Sequence, residues 1–138
     1  DAWDSEIAVN GVIGKKSMAW WKSLNMLTLY EQFLSLFSKP PLSSYCQPIK
    51  LEAIKACSLF EDNSIDLLYI DGNDSKTWNL ENIKAYFPKV KEGGFICLSK
   101  ALHPGREETN AFLIERCDLL KEEMGSDCAF FQKKREVK

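Results

Sequence analysis

The sequence lacks the features that would assign it at once. Five cysteines, at 46, 57, 97, 117 and 128, make an odd number, and no C-x-x-C occurs. A disulfide framework or a zinc site is therefore not expected, and a reducing, cytoplasmic setting fits. Cys57 and Cys97 lie within apolar runs, where cysteine acts as a small hydrophobe. No apolar run reaches the roughly 18 residues of a membrane span, so no membrane partner is expected. Excess positive charge is missing too: 18 Lys plus Arg stand against 20 Asp plus Glu, which leaves no footprint for nucleic acid. The one basic cluster, Lys133, Lys134, Arg135 and Lys138, reads as a solvated, frayed tail. There is a single histidine, and no P-loop, H-E-x-x-H or Ser-His-Asp order is present. The opening Asp1-Ala2-Trp3-Asp4 has neither a starting Met nor a basic leader, and reads as the middle of something.

What is present is an alternation of helices and strands. At 138 residues, with no linker or repeat, the chain is expected to form a single domain, 1–138. Residues 10–24 carry two glycines and read as a loop with one helical turn. Within it, Trp20 and Trp21 suit the core or a lid or partner surface. Leu27, Tyr30, Phe33, Leu34 and Phe37 follow helical spacing, so 26–38 is expected as an amphipathic helix stopped by Pro40-Pro41. Residues 46–50 suit an edge strand. Residues 51–60 read as a helix with Ile54, Cys57 and Phe60 on one stripe, followed by a turn at 61–63.

Residues 65–70 form an almost continuous apolar run, the pattern of a parallel strand covered on both faces. Asp74 or Ser75 can cap the next helix, whose inward stripe is Leu80, Ile83 and Phe87 and which ends at Pro88. Lys91-Glu92-Gly93-Gly94 turns into a second buried strand, 95–98. A helix over 106–116 follows, then a hairpin of 118–124 and 128–133. Such alternation argues for a three-layer α/β fold.

In open parallel sheets, ligands sit outside the carboxyl ends of the strands. Asp71, Gly72, Asn73 and Asp74 follow the first buried strand; Ser99, Lys100 and His103 follow the second. If the strands are neighbours, a carboxylate, an amide, an ammonium and an imidazole meet at one crevice suited to binding or proton transfer. The plainer alternative is that Asp71-Gly72 only turns the chain, Asp74 only caps a helix, and His103 is a loop residue.

Several pieces, in order, resemble one branch of the class I S-adenosylmethionine-dependent methyltransferases, methyltransferase domain 24. Leu59-Phe60-Glu61-Asp62-Asn63-Ser64-Ile65-Asp66 is similar to the family's approach to its fourth strand, and Ile70-Asp71-Gly72 to that strand's exit. Phe87 to Gly94 resembles its L-P-K-V-K-P-G-G, and His103-Pro104-Gly105 its H-P-G. Leu29 to Leu34 resembles the helix before the third strand, and Asp1-Ala2-Trp3 the exit of the second. The resemblance implies a Rossmann-like, mostly parallel sheet ending in an antiparallel hairpin. It implies S-adenosylmethionine as cofactor and methyl transfer to a small-molecule or glycan-precursor acceptor.

Carried over by position, Asp1, Glu52, Asp71 and Gly72 are the cofactor-binding candidates, and Lys100 and His103 the catalytic ones. Asp1 matches the acid that bonds ribose hydroxyls. Glu52 stands near the adenine edge, or is only an acid at a helix start. The chain departs from the pattern in three places. The first strand and its glycine-rich loop do not appear, so the fold is expected to be N-terminally truncated. Asp74 replaces a histidine, and Ser99-Lys100 replaces an acidic pair, so no metal is expected. Two further readings follow from these departures: a non-catalytic protein-interaction module, and an open sheet completed by a homo-oligomer or a strand-donating partner.

Overall fold

Helix starts are set by short polar side chains. In the computed structural model, which describes residues 1–12, 14–71, 75–123 and 127–135 (backbone only for 121–123), Asp4 caps α1 (Ser5–Ala8) by accepting from the Glu6 and Ile7 amides at 2.9 and 3.1 Å. Asn25 caps α3 (Met26–Phe37) by accepting from the Thr28 amide at 3.1 Å. Between them lies α2 (Lys15–Ser23), where a loop was expected. The glycines that suggested a loop lie ahead of the helix: Gly14, at φ +97°, is its N-cap. From Lys15 onward the residues include good helix formers. Trp20 is exposed and Trp21 half-buried, edge to face at 4.9 Å.

The chain divides into two compact units, Asp1–Ala56 and Cys57–Lys138. In the first, no residue of α1, α2 or α3 is buried. Its contacts are aromatic. Trp3 lies against Tyr30 and Phe33 at 4.8 and 5.2 Å, and Phe33 stacks on Phe37 at 4.4 Å. Tyr30, Phe33, Leu34 and Phe37 of the expected stripe are half-buried, but Leu27 is 58% exposed. The edge strand expected at 46–50 does not form: the segment is neither helix nor strand and joins no ladder. Helix α4 (Ala53–Ala56) is a single turn, so the helix expected at 51–60 is shorter, and Ile54 is exposed.

The second unit opens with a 3-10 turn, Cys57–Leu59, in which the buried Cys57 donates its thiol to the Ala85 carbonyl at 3.2 Å. It then builds β1 (Ile65–Ile70), α5 (Lys76–Tyr86), β2 (Val90–Ser99), α6 (Glu107–Arg116), β3 (Cys117–Glu123) and β4 (Cys128–Lys133). Ser75 caps α5 through the Trp78 amide; Asp74, the other candidate cap, lies outside the described residues. The sheet order is β1-β2-β4-β3, with β1 and β2 parallel and the other two pairs antiparallel. This is an α/β fold with a mixed sheet and flanking helices, and the expected hairpin closes it.

The core lies on one face of the sheet. Ile70, Ile96, Leu98, Ala129 and Phe131 meet Ile83 of α5 and Leu113 of α6, with Leu80 and Phe87 at its margin. The central strand β2 is buried on both faces, since Ile96, Cys97 and Leu98 are all at most 4% exposed. Strand β1 is not: Leu67 and Tyr69 are 60% and 56% exposed. It stands at the edge of the sheet, and an apolar run fixes a strand's composition without guaranteeing cover.

The Lys91-to-Gly94 stretch is part of β2, as an irregularity rather than a separate turn. Ile65 pairs with Val90 but Leu67 with Phe95, so β2 bulges there. Gly93 has φ +75°, and a Cβ on Gly94 would stand 2.9 Å from the Lys91 carbonyl and 3.2 Å from that of Asp66. The end of β4 fastens the bulge: Gln132 donates to the Gly93 carbonyl at 2.9 Å, and Lys133 to those of Val90 and Phe87 at 2.8 and 3.1 Å. Lys133 is thus an internal tie and not part of a frayed tail; Lys138 lies outside the described residues.

Candidate functional site

The parallel pairing of β1 and β2 decides what meets at the carboxyl edge of the sheet. Ile70 is level with Leu98, so by continuation Asp71 leaves β1 beside Ser99. Asp71 is exposed; Ser99 is buried and paired with Cys128 of β4. Gly72, Asn73 and Asp74 lie outside the described residues. Lys100 follows at once, exposed and at φ +53°, a left-handed conformation that turns the chain sharply away from the sheet.

The loop after Lys100 is fixed by its backbone bonds. The His103 amide donates to the Lys100 carbonyl at 2.9 Å, and the Arg106 amide to that of His103 at 3.1 Å. The Ala101 amide donates to the Asp127 carbonyl at 2.7 Å, and the Leu102 amide to the Asp127 carboxylate at 2.7 Å. Asn110 of α6 donates to the Ala101 carbonyl at 2.6 Å. The Gly105 amide donates to Glu107 at 2.9 Å. That bond and Glu107's own amide, the larger cause, hold its carboxyl below the usual range.

His103 is half-buried, with Nδ1 2.9 Å from the Pro104 carbonyl oxygen. A carbonyl can only accept, so Nδ1 carries the proton in this contact. In the neutral ring the lone pair is then on Nε2. Such a ring is configured to take a proton at Nε2.

Asp1 and Glu52 belong to the other unit. The Asp1 carboxylate accepts from the Trp3 amide at 2.8 Å, and its ammonium donates to the Ile49 carbonyl at 3.3 Å. Asp1 is thereby held beside the 49–52 segment, where Lys50 lies 4.5 Å from the Tyr30 ring centroid. Glu52 is half-buried, pairs with Lys55, and its carbonyl accepts from the Lys55 and Ala56 amides at the start of α4. The structure therefore gathers the candidates into two sets: Asp1 with the stretch leading to Glu52, and Asp71 with the Lys100–His103 loop.

Asp127 and Asn110 did not stand out in the sequence. Gly125-Ser126-Asp127 signals a turn, but nothing local tells which distant loop the aspartate will hold. Among the described residues no group of three or more His, Cys, Asp or Glu could hold a metal ion, and no helix is long and apolar enough to cross a membrane.

No curated protein matches the chain in sequence. A solved crystal structure of a protein from Corynebacterium glutamicum is similar in fold, with a TM-score of 0.61 at 14% identity. The match covers 81% of this chain but only 57% of that one, so the chain spans just over half the length of its structural relative. A family model described as a methyltransferase domain matches residues 4–99. That stretch runs from the cap of α1 to the last residue of β2, more than half of the chain, and so this chain belongs to the methyltransferase domain 24 family, of the class I S-adenosylmethionine-dependent type.

Proposed function

We propose that the chain carries the crevice of an S-adenosylmethionine-dependent methyltransferase acting on a small-molecule or glycan-precursor acceptor. The observation that carries this reading is the β1–β2 register, which brings Asp71 and the Lys100–His103 loop to one sheet edge in a chain of this family. The family implies S-adenosylmethionine, and the residues suit it. Asp71, a carboxylate at the exit of β1, matches a ribose diol or a cationic sulfonium or ammonium. By the family pattern Gly72 stays a candidate next to Asp71 in sequence, and Asp1 and Glu52, in the other unit, are the further cofactor-binding candidates. When bound, the cofactor supplies a methyl group from its sulfonium.

The chain's own residues do the rest. Asp71 orients the cofactor from the end of β1. His103 accepts at Nε2 the proton of a hydroxyl acceptor, and Lys100 offsets the negative charge that develops on it. The family match includes residues of both compact units, which supports reading 1–138 as a single methyltransferase-like domain of Rossmann-like type.

Calorimetric titration with S-adenosylmethionine and S-adenosylhomocysteine tests the reading. The expected result is a Kd of about 1–100 μM (roughly 8 to 5.5 kcal/mol) that weakens at least about tenfold in Asp71→Ala. No binding heat from a folded protein would refute it.

The exposed Leu67 and Tyr69 on edge strand β1 favour a second reading, an interaction module completed by another copy or by a strand-donating partner. Sedimentation at rising concentration separates the two: a monomer throughout that binds the cofactor excludes self-association.

A further inference from the structure

We propose that Asp127 is the positioning residue of the site: it ties the β3–β4 hairpin to the Lys100–His103 loop and sets the backbone from which both candidate catalytic side chains project. The inference rests on the reading of the carboxyl edge as the cofactor crevice.

The geometry is specific. Asp127 directly precedes β4 and has φ +52°, while Lys100 directly follows β2 and has φ +53°. Ser99 and Cys128 are ladder partners, so these two left-handed residues stand side by side just beyond the paired strands. Each would ordinarily avoid that conformation, and aspartate tolerates it better than lysine does. Asp127 then supplies two acceptors. Its carbonyl takes the Ala101 amide and its carboxylate the Leu102 amide, both at 2.7 Å. The second bond is charge-assisted, hence short and stronger than a neutral one. With the His103 amide on the Lys100 carbonyl, three consecutive amides after Lys100 are committed. Arg106, at the far end of the loop, is 1% exposed, and Asn110 fixes the Ala101 carbonyl, so the loop is held at both ends. Within this stretch the carboxylate of Asp127 is a side-chain anchor that reaches across from the hairpin.

A rigid loop presents Lys100 and His103 to a ligand in one arrangement, while a released one must be ordered by the ligand and binds more weakly. Asp127 touches neither cofactor nor acceptor in this account; it acts through the loop.

His103 is the chain's sole histidine, so its ring resonance is an unambiguous probe. The test uses the intact chain, Asp127→Asn and Asp127→Gly, titrated with S-adenosylhomocysteine. Nuclear magnetic resonance follows His103 Cε1–H, and calorimetry follows affinity. Asparagine keeps an oxygen acceptor and tolerates positive φ; glycine keeps only the backbone freedom. The expected result is a His103 resonance that moves on binding in the wild type and in Asp127→Asn, with affinities within about threefold, and a response that is lost in Asp127→Gly, with binding about tenfold weaker. Equal behaviour of Asp127→Gly and wild type would overturn the positioning role alone. Absence of binding by the wild type would overturn both the crevice and this role. Should Asp127→Gly not fold, Asp127→Ser keeps a shorter oxygen acceptor: a partial response supports the role, and a wild-type response overturns it.

Discussion

The two compact units of this chain reach order by different means. Cys57–Lys138 has a sheet with helices against one face, and Ile83, Val90, Ile96, Leu98 and Leu113 lose all contact with solvent. Asp1–Ala56 has helices of comparable length, yet none of its α1–α3 residues is buried, and Leu27 and Leu36 are 58% and 60% exposed. Its capping residues and aromatic contacts define local shape, and these interactions are individually worth only about 1 kcal/mol. A helix so short draws its stability mainly from packing of its apolar face. The difference teaches that helical periodicity marks where an apolar face will be, whereas burial depends on what long-range partner arrives.

The largest expected effect tests that contrast directly. Expressed alone, residues 57–138 should unfold in one cooperative transition by circular dichroism, while residues 1–56 should show little helix and no transition. A cooperative transition in the isolated 1–56 piece would break the comparison.

Next come single core truncations. Phe131 is 1% exposed and central to the sheet core, so Phe131→Ala should cost about 3–5 kcal/mol in urea titration. Phe33→Ala, which removes a half-buried ring from the aromatic set of the first unit, should cost roughly 1–2 kcal/mol. Equal costs would mean that the first unit is as tightly packed as the second.

The smallest effect is one of pH. Burial, and secondarily Cys57, push the Tyr86 phenol up from 10.0 to about 12. Burial likewise pushes Cys117 up from 9.0 to about 11. Between each pair of values the unfolded chain has released its proton and the folded one has kept it, so stability is full below pH 9 and falls as pH rises toward 12. Thermal midpoints in Tyr86→Phe should fall less steeply between pH 10 and 12, leaving the earlier decline from Cys117 in place.

How much was legible in the sequence follows from the range of the forces involved. Capping and periodicity act within a few residues, so helix 26–38, the helix after Ser75 and the terminal hairpin were readable. The α2 helix was missed because nearby glycines were weighed as breakers, although they precede it. Exposure of Leu67 and Tyr69 was missed because the edge position of β1 is a property of the sheet and not of the strand. The site divides similarly. Asp71 and Lys100 lie at the ends of β1 and β2, where a local rule can name them, but Asp127 holds the Leu102 amide from 25 residues away in sequence.

The ties from Gln132 and Lys133 to Gly93, Val90 and Phe87 have a consequence for synthesis. As the chain leaves the ribosome, β1, α5 and β2 emerge with one flank of β2 still without its neighbour. That flank is closed only by β4, which is made after α6 and β3. The half-built sheet therefore spends the interval as an adhesive surface. Until that strand arrives, the irregular, glycine-bearing start of β2 is also without the side chains that fasten it.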